Sequence, residues 1–218
     1  MTRSQVRQRI IDGGIIPVVR APSAELALAV SRAVEAGGIG MVEVTMTVPG
    51  AIEVISQLAR SHGDILIGAG TVLEAETAQQ CLDAGAQFLV SPGFDAGTVE
   101  LAARQDVVVM AGALTPTEVI HAWKAGVDFV KIFPCGNVGG PSYIKALKAA
   151  LPQIPMVPTG GVNLSTAAAF LEAGSAALGV GGDLISAAAL KSGNFEVITE
   201  LARQYLAIFN EARETAHA

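Results

Sequence analysis

The 218-residue chain has little of what several protein classes require. Its two cysteines, Cys81 and Cys135, lie far apart and lack CxxC spacing, which argues against a disulfide framework and reads as two reduced thiols in a cytoplasmic protein. The three histidines, His62, His121 and His217, form no pair with metal-ligand spacing, so no metal site is expected. Aromatic residues make up only 5%, no basic run occurs, and 14 Lys+Arg against 20 Asp+Glu leave a net charge of −6. That balance argues against nucleic-acid binding and means that an anionic substrate would be held by a few local donors against the global field. No apolar run reaches the ~18 residues of a membrane-spanning helix. The opening MTRSQVRQRIIDGG has no apolar signal core, in keeping with a cytoplasmic location.

What is abundant is small and aliphatic: 51% of residues are hydrophobic, with Ala, Val, Leu, Ile and Gly dominant. Eight short β-branched runs begin at Ile15, Met41, Ile65, Phe88, Val107, Phe129, Met156 and Ala177. Helical periodicity fills the gaps, as in SAELALAVSRAVEAGG, where Leu26, Ala29, Val30, Ala33 and Val34 form a stripe and Gly37 a stop. Strand and helix in strict alternation predict a parallel sheet, and nearly continuous apolar strands predict burial on both faces. Eight such units close into a (β/α)8 TIM barrel as one domain over 1–218, with an open doubly wound sheet as the alternative. An extra N-terminal helix (Arg3–Ile11) and a long last helix (Asn194–Arg213) are expected to cap the ends.

In a barrel of this kind the active site lies at the carboxyl ends of the strands, so polar residues in or just after the strands are the candidates. Lys131 lies inside FVKIFP and Glu43 inside MVEVTM. Burying either charge alone costs several kcal/mol, about 2–7 for a polar group and more for an ion. Alternation places Glu43 and Thr45 on one face of strand 2, and Phe129, Lys131 and Phe133 on one face of strand 6. If both faces point inward, amine and carboxylate meet across the barrel, either as a structural ion pair or as the nucleophile and proton shuttle of imine chemistry. Arg20, at the end of PVVR, is a candidate carboxylate grip. Thr71 in GAGTV and Thr159 in PTGGV stand beside glycines at strand ends. Gly160-Gly161 and Gly181-Gly182 fall in the last two loops, where phosphate-binding barrels offer backbone N–H groups. Asp183 follows directly and would repel a phosphate unless turned away.

Taken in order, GIIPVVR, VEVTMTVPGA, GAGTVL, GAQFLVSPGF, GALTPTEV, VKIFPCGNVGGPSYIKAL and VPTGGVN resemble the 2-keto-3-deoxy-6-phosphogluconate (KDPG) and 4-hydroxy-2-oxoglutarate (KHG) aldolase family over nearly the whole chain. The resemblance implies a class I pyruvate aldolase on a (β/α)8 barrel, a homotrimer without metal or cofactor, cleaving a 2-keto-4-hydroxy acid to pyruvate and an aldehyde. It implies Lys131 as the Schiff-base lysine and Glu43 as the general acid/base. Arg20, Thr71 and Thr159 would surround the pyruvate end, Pro92 and Phe133 would line the pocket, and Gly160, Gly161, Gly181 and Gly182 would cup the distal phosphate. Thr47 stands where many members carry a substrate-contacting arginine, and Asp183 where many carry serine. Both departures remove help for anions, which keeps an unphosphorylated 2-keto-3-deoxy sugar acid as a rival substrate. Two rival functions are a phosphate-binding barrel isomerase or epimerase, in which Lys131 forms no covalent adduct, and a non-catalytic barrel.

Overall fold

The computed structural model describes residues 1–61 and 64–217; His62 lies outside the described residues. Each β-branched run forms a strand: β1 (Ile15–Val19), β2 (Met41–Thr45), β3 (Leu66–Gly70), β4 (Phe88–Val90), β5 (Val108–Ala113), β6 (Phe129–Ile132), β7 (Met156–Pro158) and β8 (Leu178–Val180). All seven ladders are parallel, in the order β7-β6-β5-β4-β3-β2-β1-β8. A single parallel bridge, Thr159 to Gly179, joins the two ends and closes the barrel. Every strand residue is buried, as expected of a sheet with core on one side and helices on the other.

Helices α2 (Ala24–Ala36), α3 (Ala51–Ser61), α4 (Ala75–Asp83), α5 (Ala96–Arg104), α6 (Pro116–Lys124), α7 (Pro141–Ala150) and α8 (Ala167–Glu172) follow β1 to β7 in turn. Their starts are fixed locally. Ser23 caps α2 through Leu26 N–H, Asp95 caps α5 through Thr98 N–H, and Thr115 with Glu118 forms a capping box ahead of Pro116 on α6.

The extra N-terminal helix is α1 (Arg3–Gly13), opened by a Thr2–Gln5 capping box and ended by Gly14 at φ 66°. It closes the amino end of the barrel. Val6 and Ile10 are buried, Arg7 lies over the Phe129 ring at the start of β6, and Arg3 makes an ion pair with Asp128 at 3.0 Å. After β8 come a short α9 (Ala187–Ser192) and α10 (Glu196–His217). The expectation that the last helix caps an end is corrected here. α10 packs against α2, α8 and β1 and completes the outer ring, held in part by Thr199 Oγ1 donating to the Ala33 carbonyl at 2.9 Å. Its buried stripe, Ile198, Ala202, Tyr205 and Phe209, recurs at helical spacing and belongs to the core of the wall rather than to a lid.

Paired residues in a parallel ladder point to the same face, so the register traces the barrel interior. Val18 pairs Glu43, Glu43 pairs Gly68 and Gly68 pairs Phe88. On the far side Met110 pairs Phe129, Gly112 pairs Lys131 and Lys131 pairs Val157. Glu43, Thr45, Phe129 and Lys131 therefore all face inward. The interior glycines are filled by neighbours: a Cβ at Gly68 would collide with the Phe88 ring, at Gly112 with the Pro92 carbonyl, and at Gly179 with Thr159.

Candidate active site

Strands β2 and β6 stand four places apart in an eight-strand order, on opposite walls. Their inward side chains meet in the middle: Lys131 Nζ lies 3.6 Å from Glu43 Oε1, with the two side chains 4% and 3% exposed. This is an ion pair without a hydrogen bond. Glu43 Oε1 is buried and has no hydrogen-bond partner among the described residues. A purely structural buried pair needs close contact and satisfied lone pairs to offset desolvation, and this one has neither. Lys131 Nζ also lies 5.5 Å from the centre of the Phe133 ring, whose face favours a cation.

The surroundings sharpen this arrangement. A Cβ at Gly70 would occupy the position of the Glu43 carboxylate, so the β3 glycine makes the space in which that group sits. The next residue, Thr71, has φ 58°, a left-handed backbone that a β-branched residue rarely adopts. Such strain clusters at active sites. Above Glu43 on the same face, buried Thr45 donates from Oγ1 to the Val19 carbonyl at 3.0 Å and lies 2.7 Å from Thr47 Oγ1.

The remaining predicted residues fall around this pair at the carboxyl ends of the strands. Arg20 is the first residue past β1 rather than its last, and it is exposed with no hydrogen bond or ion pair among the described residues. Thr159 is buried at the end of β7, seated over Gly179. Pro92 and Phe133 follow β4 and β6 and are partly buried.

The loop after β6 is zipped to the loop after β7: Cys135 N–H donates to the Thr159 carbonyl at 3.0 Å and Gly136 N–H to the Gly160 carbonyl at 2.8 Å. Gly160 and Gly161, at φ 85° and 78°, take backbone angles that only glycine adopts readily. Gly181 and Gly182 differ. Neither has a positive φ, and a Cβ on either would meet nothing, so the packing of the chain itself does not require glycine there. Open backbone of this kind suits close approach of a ligand. Asp183 is exposed and makes no ion pair among the described residues. Its charge reaches the buried Tyr205 on α10, whose phenol is pushed up first by burial and then by Asp183.

Other chemistries find less support. Burial pushes the Cys135 thiol, four residues after Lys131, up to about 11, and Cys81 likewise, so both are protonated near neutral pH and poor nucleophiles. Among the described residues no three His, Cys, Asp or Glu side chains gather as a metal site, and no helix is long and apolar enough to cross a membrane. A groove of about 830 Å³ between α1, α8 and α10 touches none of the site residues. Sequence reasoning missed the space-making roles of Gly70, Gly112 and Gly179 and the bond from Thr45 to Val19. The period-two alternation that placed Glu43 inward also places Gly70 and Thr45 inward, and was the available signal.

Comparison with known proteins agrees with this geometry. The KDPG and KHG aldolase family model matches residues 6–201. A 2-dehydro-3-deoxy-phosphogluconate aldolase of Treponema pallidum is 37% identical over 195 residues, covering 89% of this chain and 92% of the relative. The solved native KDPGal structure superposes with a TM-score of 0.84 at 33% identity, covering 92% of this chain and 96% of that one. The KDPG aldolase of Legionella pneumophila, solved with pyruvate captured as a covalent carbinolamine, superposes at 0.82 with 30% identity, covering 91% and 97%. With its inward lysine and carboxylate at the centre of the same barrel, the chain belongs to the KDPG and KHG aldolase family.

Proposed function

We propose that this chain is a class I aldolase that reversibly cleaves a 2-keto-4-hydroxy acid, KDPG or KHG, to pyruvate and glyceraldehyde 3-phosphate or glyoxylate. The observation that carries the reading is the buried Lys131–Glu43 apposition at 3.6 Å with an unsatisfied Oε1, a carboxylate oxygen placed to exchange a proton with the amine. The Lys131 amine, after passing a proton to Glu43, attacks the C2 carbonyl. Glu43 returns a proton to the carbinolamine hydroxyl, which leaves as water and gives the iminium. Glu43, now a carboxylate again, takes the C4 hydroxyl proton as the C3–C4 bond breaks, and that bond's electron pair flows into the iminium as an enamine while the aldehyde departs. Protonation at C3 and addition of water release pyruvate and free Lys131.

In this reading Arg20, with Thr71 and Thr159, holds the carboxylate end, Pro92 and Phe133 wall the pocket, and Thr47 lies at its mouth. Gly160, Gly161, Gly181 and Gly182 receive the distal group. A second reading, an unphosphorylated 2-keto-3-deoxy sugar acid, is favoured by the presence of Asp183 and by the lack of any Lys or Arg in residues 159–166 and 181–186. The ratio of kcat/KM on phosphorylated and unphosphorylated substrates decides between them. A single-domain cytoplasmic protein, assembled as the homotrimer that the family resemblance implies, completes the proposal.

The test is borohydride reduction in the presence of pyruvate, with the adduct mapped by mass spectrometry. A reduced pyruvate adduct on Lys131, absent in Lys131→Met, is the expected result. Folded protein without an adduct would overturn the aldolase reading in favour of an isomerase or binding role.

A further inference from the structure

The Thr45 hydroxyl has one proton and two neighbours. The Val19 carbonyl, at 3.0 Å, can only accept, so Thr45 donates to it. Thr47 Oγ1, at 2.7 Å, must then donate to Thr45. The order of donation is thus fixed along the line from Thr47 through Thr45 to Val19. Thr45 is fully buried, one inward position above Glu43 on β2. Val19 is the last residue of β1, and the next residue is Arg20.

One hydroxyl therefore joins three parts of the site. It ties the strand end that carries Arg20 to the strand that carries Glu43, and it fixes the Thr47 side chain at the mouth. Thr47 has spent its proton on Thr45, so it faces the mouth as an acceptor and cannot donate to an anion. Gripping the substrate carboxylate falls to Arg20, whose side chain has no other partner among the described residues.

We infer that Thr45 is a positioning residue for substrate binding: its hydroxyl sets the strand end that presents Arg20 relative to the Lys131–Glu43 pair. The inference rests on the pyruvate aldolase reading and on Arg20 as the carboxylate grip. It touches binding rather than chemistry, because neither bond of the hydroxyl reaches Lys131 or the Glu43 carboxylate.

The test compares wild type, Thr45→Val and Thr45→Ser. KM and kcat are measured for cleavage of the 2-keto-4-hydroxy acid, and borohydride trapping is measured against pyruvate concentration. Valine keeps the shape and removes both bonds, so KM and the half-saturating pyruvate concentration are expected to rise about 10-fold with kcat within about 2-fold. Serine restores the hydroxyl and is expected to return both to within about 2-fold of wild type. Three results would overturn the inference: Val and Ser behaving alike, kcat falling with KM unchanged, or no change in either constant for Val. Wild type separates this from the parent reading. Failure of wild type to trap pyruvate sinks both, whereas a wild-type adduct on Lys131 with an unresponsive Thr45→Val sinks only the role of Thr45.

Discussion

The carboxylate of Glu43 occupies the volume that a side chain at position 70 would fill. The two residues lie on neighbouring strands, in adjacent inward layers, and the missing Cβ of Gly70 lets the carboxylate extend toward Lys131. Gly70→Ala is therefore expected to displace Glu43 while leaving the fold intact. Displacement by about 1 Å costs on the order of 10²-fold in turnover. Steady-state kinetics together with an unchanged circular dichroism spectrum check this outcome.

Glu43→Gln keeps the shape and removes the proton-accepting charge. General acid–base catalysis contributes about 10²–10⁴-fold, and kcat should fall within that range. Imine formation at Lys131 should persist on a longer timescale. Time-resolved borohydride trapping is the measurement, and a variant with full kcat would remove Glu43 from the mechanism.

Thr71 holds a positive φ that threonine disfavours, at a cost of order 1–3 kcal/mol. Thr71→Gly relieves that strain but loosens the unfolded chain, so stability should change by less than about 1 kcal/mol. Activity should nonetheless fall, since the side chain beside the pyruvate end is lost. Urea denaturation and kcat/KM, measured on the same preparation, separate the two effects. A variant as active as wild type would mean that the strain serves no substrate contact.

Arg3 fastens the N-terminal helix to the barrel floor. It donates to both oxygens of Asp128, at 3.0 and 3.2 Å from Nε, and that carboxylate also accepts Val109 N–H at 2.8 Å. Arg3→Ala leaves a nearly buried carboxylate without its cation, and a loss of about 2 kcal/mol is expected. For a chain of this size that lowers Tm by roughly 4–8 °C, which differential scanning calorimetry measures. Activity at 25 °C should be unaffected, because α1 lies at the opposite end of the barrel from the site.

Both thiols are pushed up to about 11 by burial, from an ordinary value of 9.0. An unfolded chain would lose these protons near pH 9, whereas the folded chain keeps them until about pH 11. The folded state binds more protons in that window, so their contribution to stability is complete below about pH 9 and is lost as pH rises toward 11. Chemical denaturation between pH 8 and 11 should show a falling midpoint that flattens in Cys81→Ala/Cys135→Ala. The same burial predicts negligible reaction with a thiol reagent at pH 8 in the folded state and two equivalents after unfolding.

Much of the fold is legible in the chain because its signals are local. The eight β-branched runs begin within one residue of the eight strands, and a helix ends where Gly37 follows α2. Period-two alternation puts Glu43 and Thr45 on one face and Phe129 and Lys131 on another, and the ladder register bears this out; Phe133 falls just past β6. The place of the last helix is not written locally. An amphipathic stripe states that one face is buried but not against what, and only packing assigned α10 to the ring between α8 and α2.

The sequence by itself determined the strands, their inward residues and the family, since propensity, alternation and motif order are written along the chain. Tertiary structure decided what those residues do to one another. Glu43 and Lys131 reach 3.6 Å only because eight strands close through the Thr159–Gly179 bridge and bring β2 opposite β6. Closure, strand tilt and stagger are properties of the whole sheet. No local signal encodes that Gly70 yields its space to Glu43, or that Thr45 reaches the Val19 carbonyl across the gap between two strands.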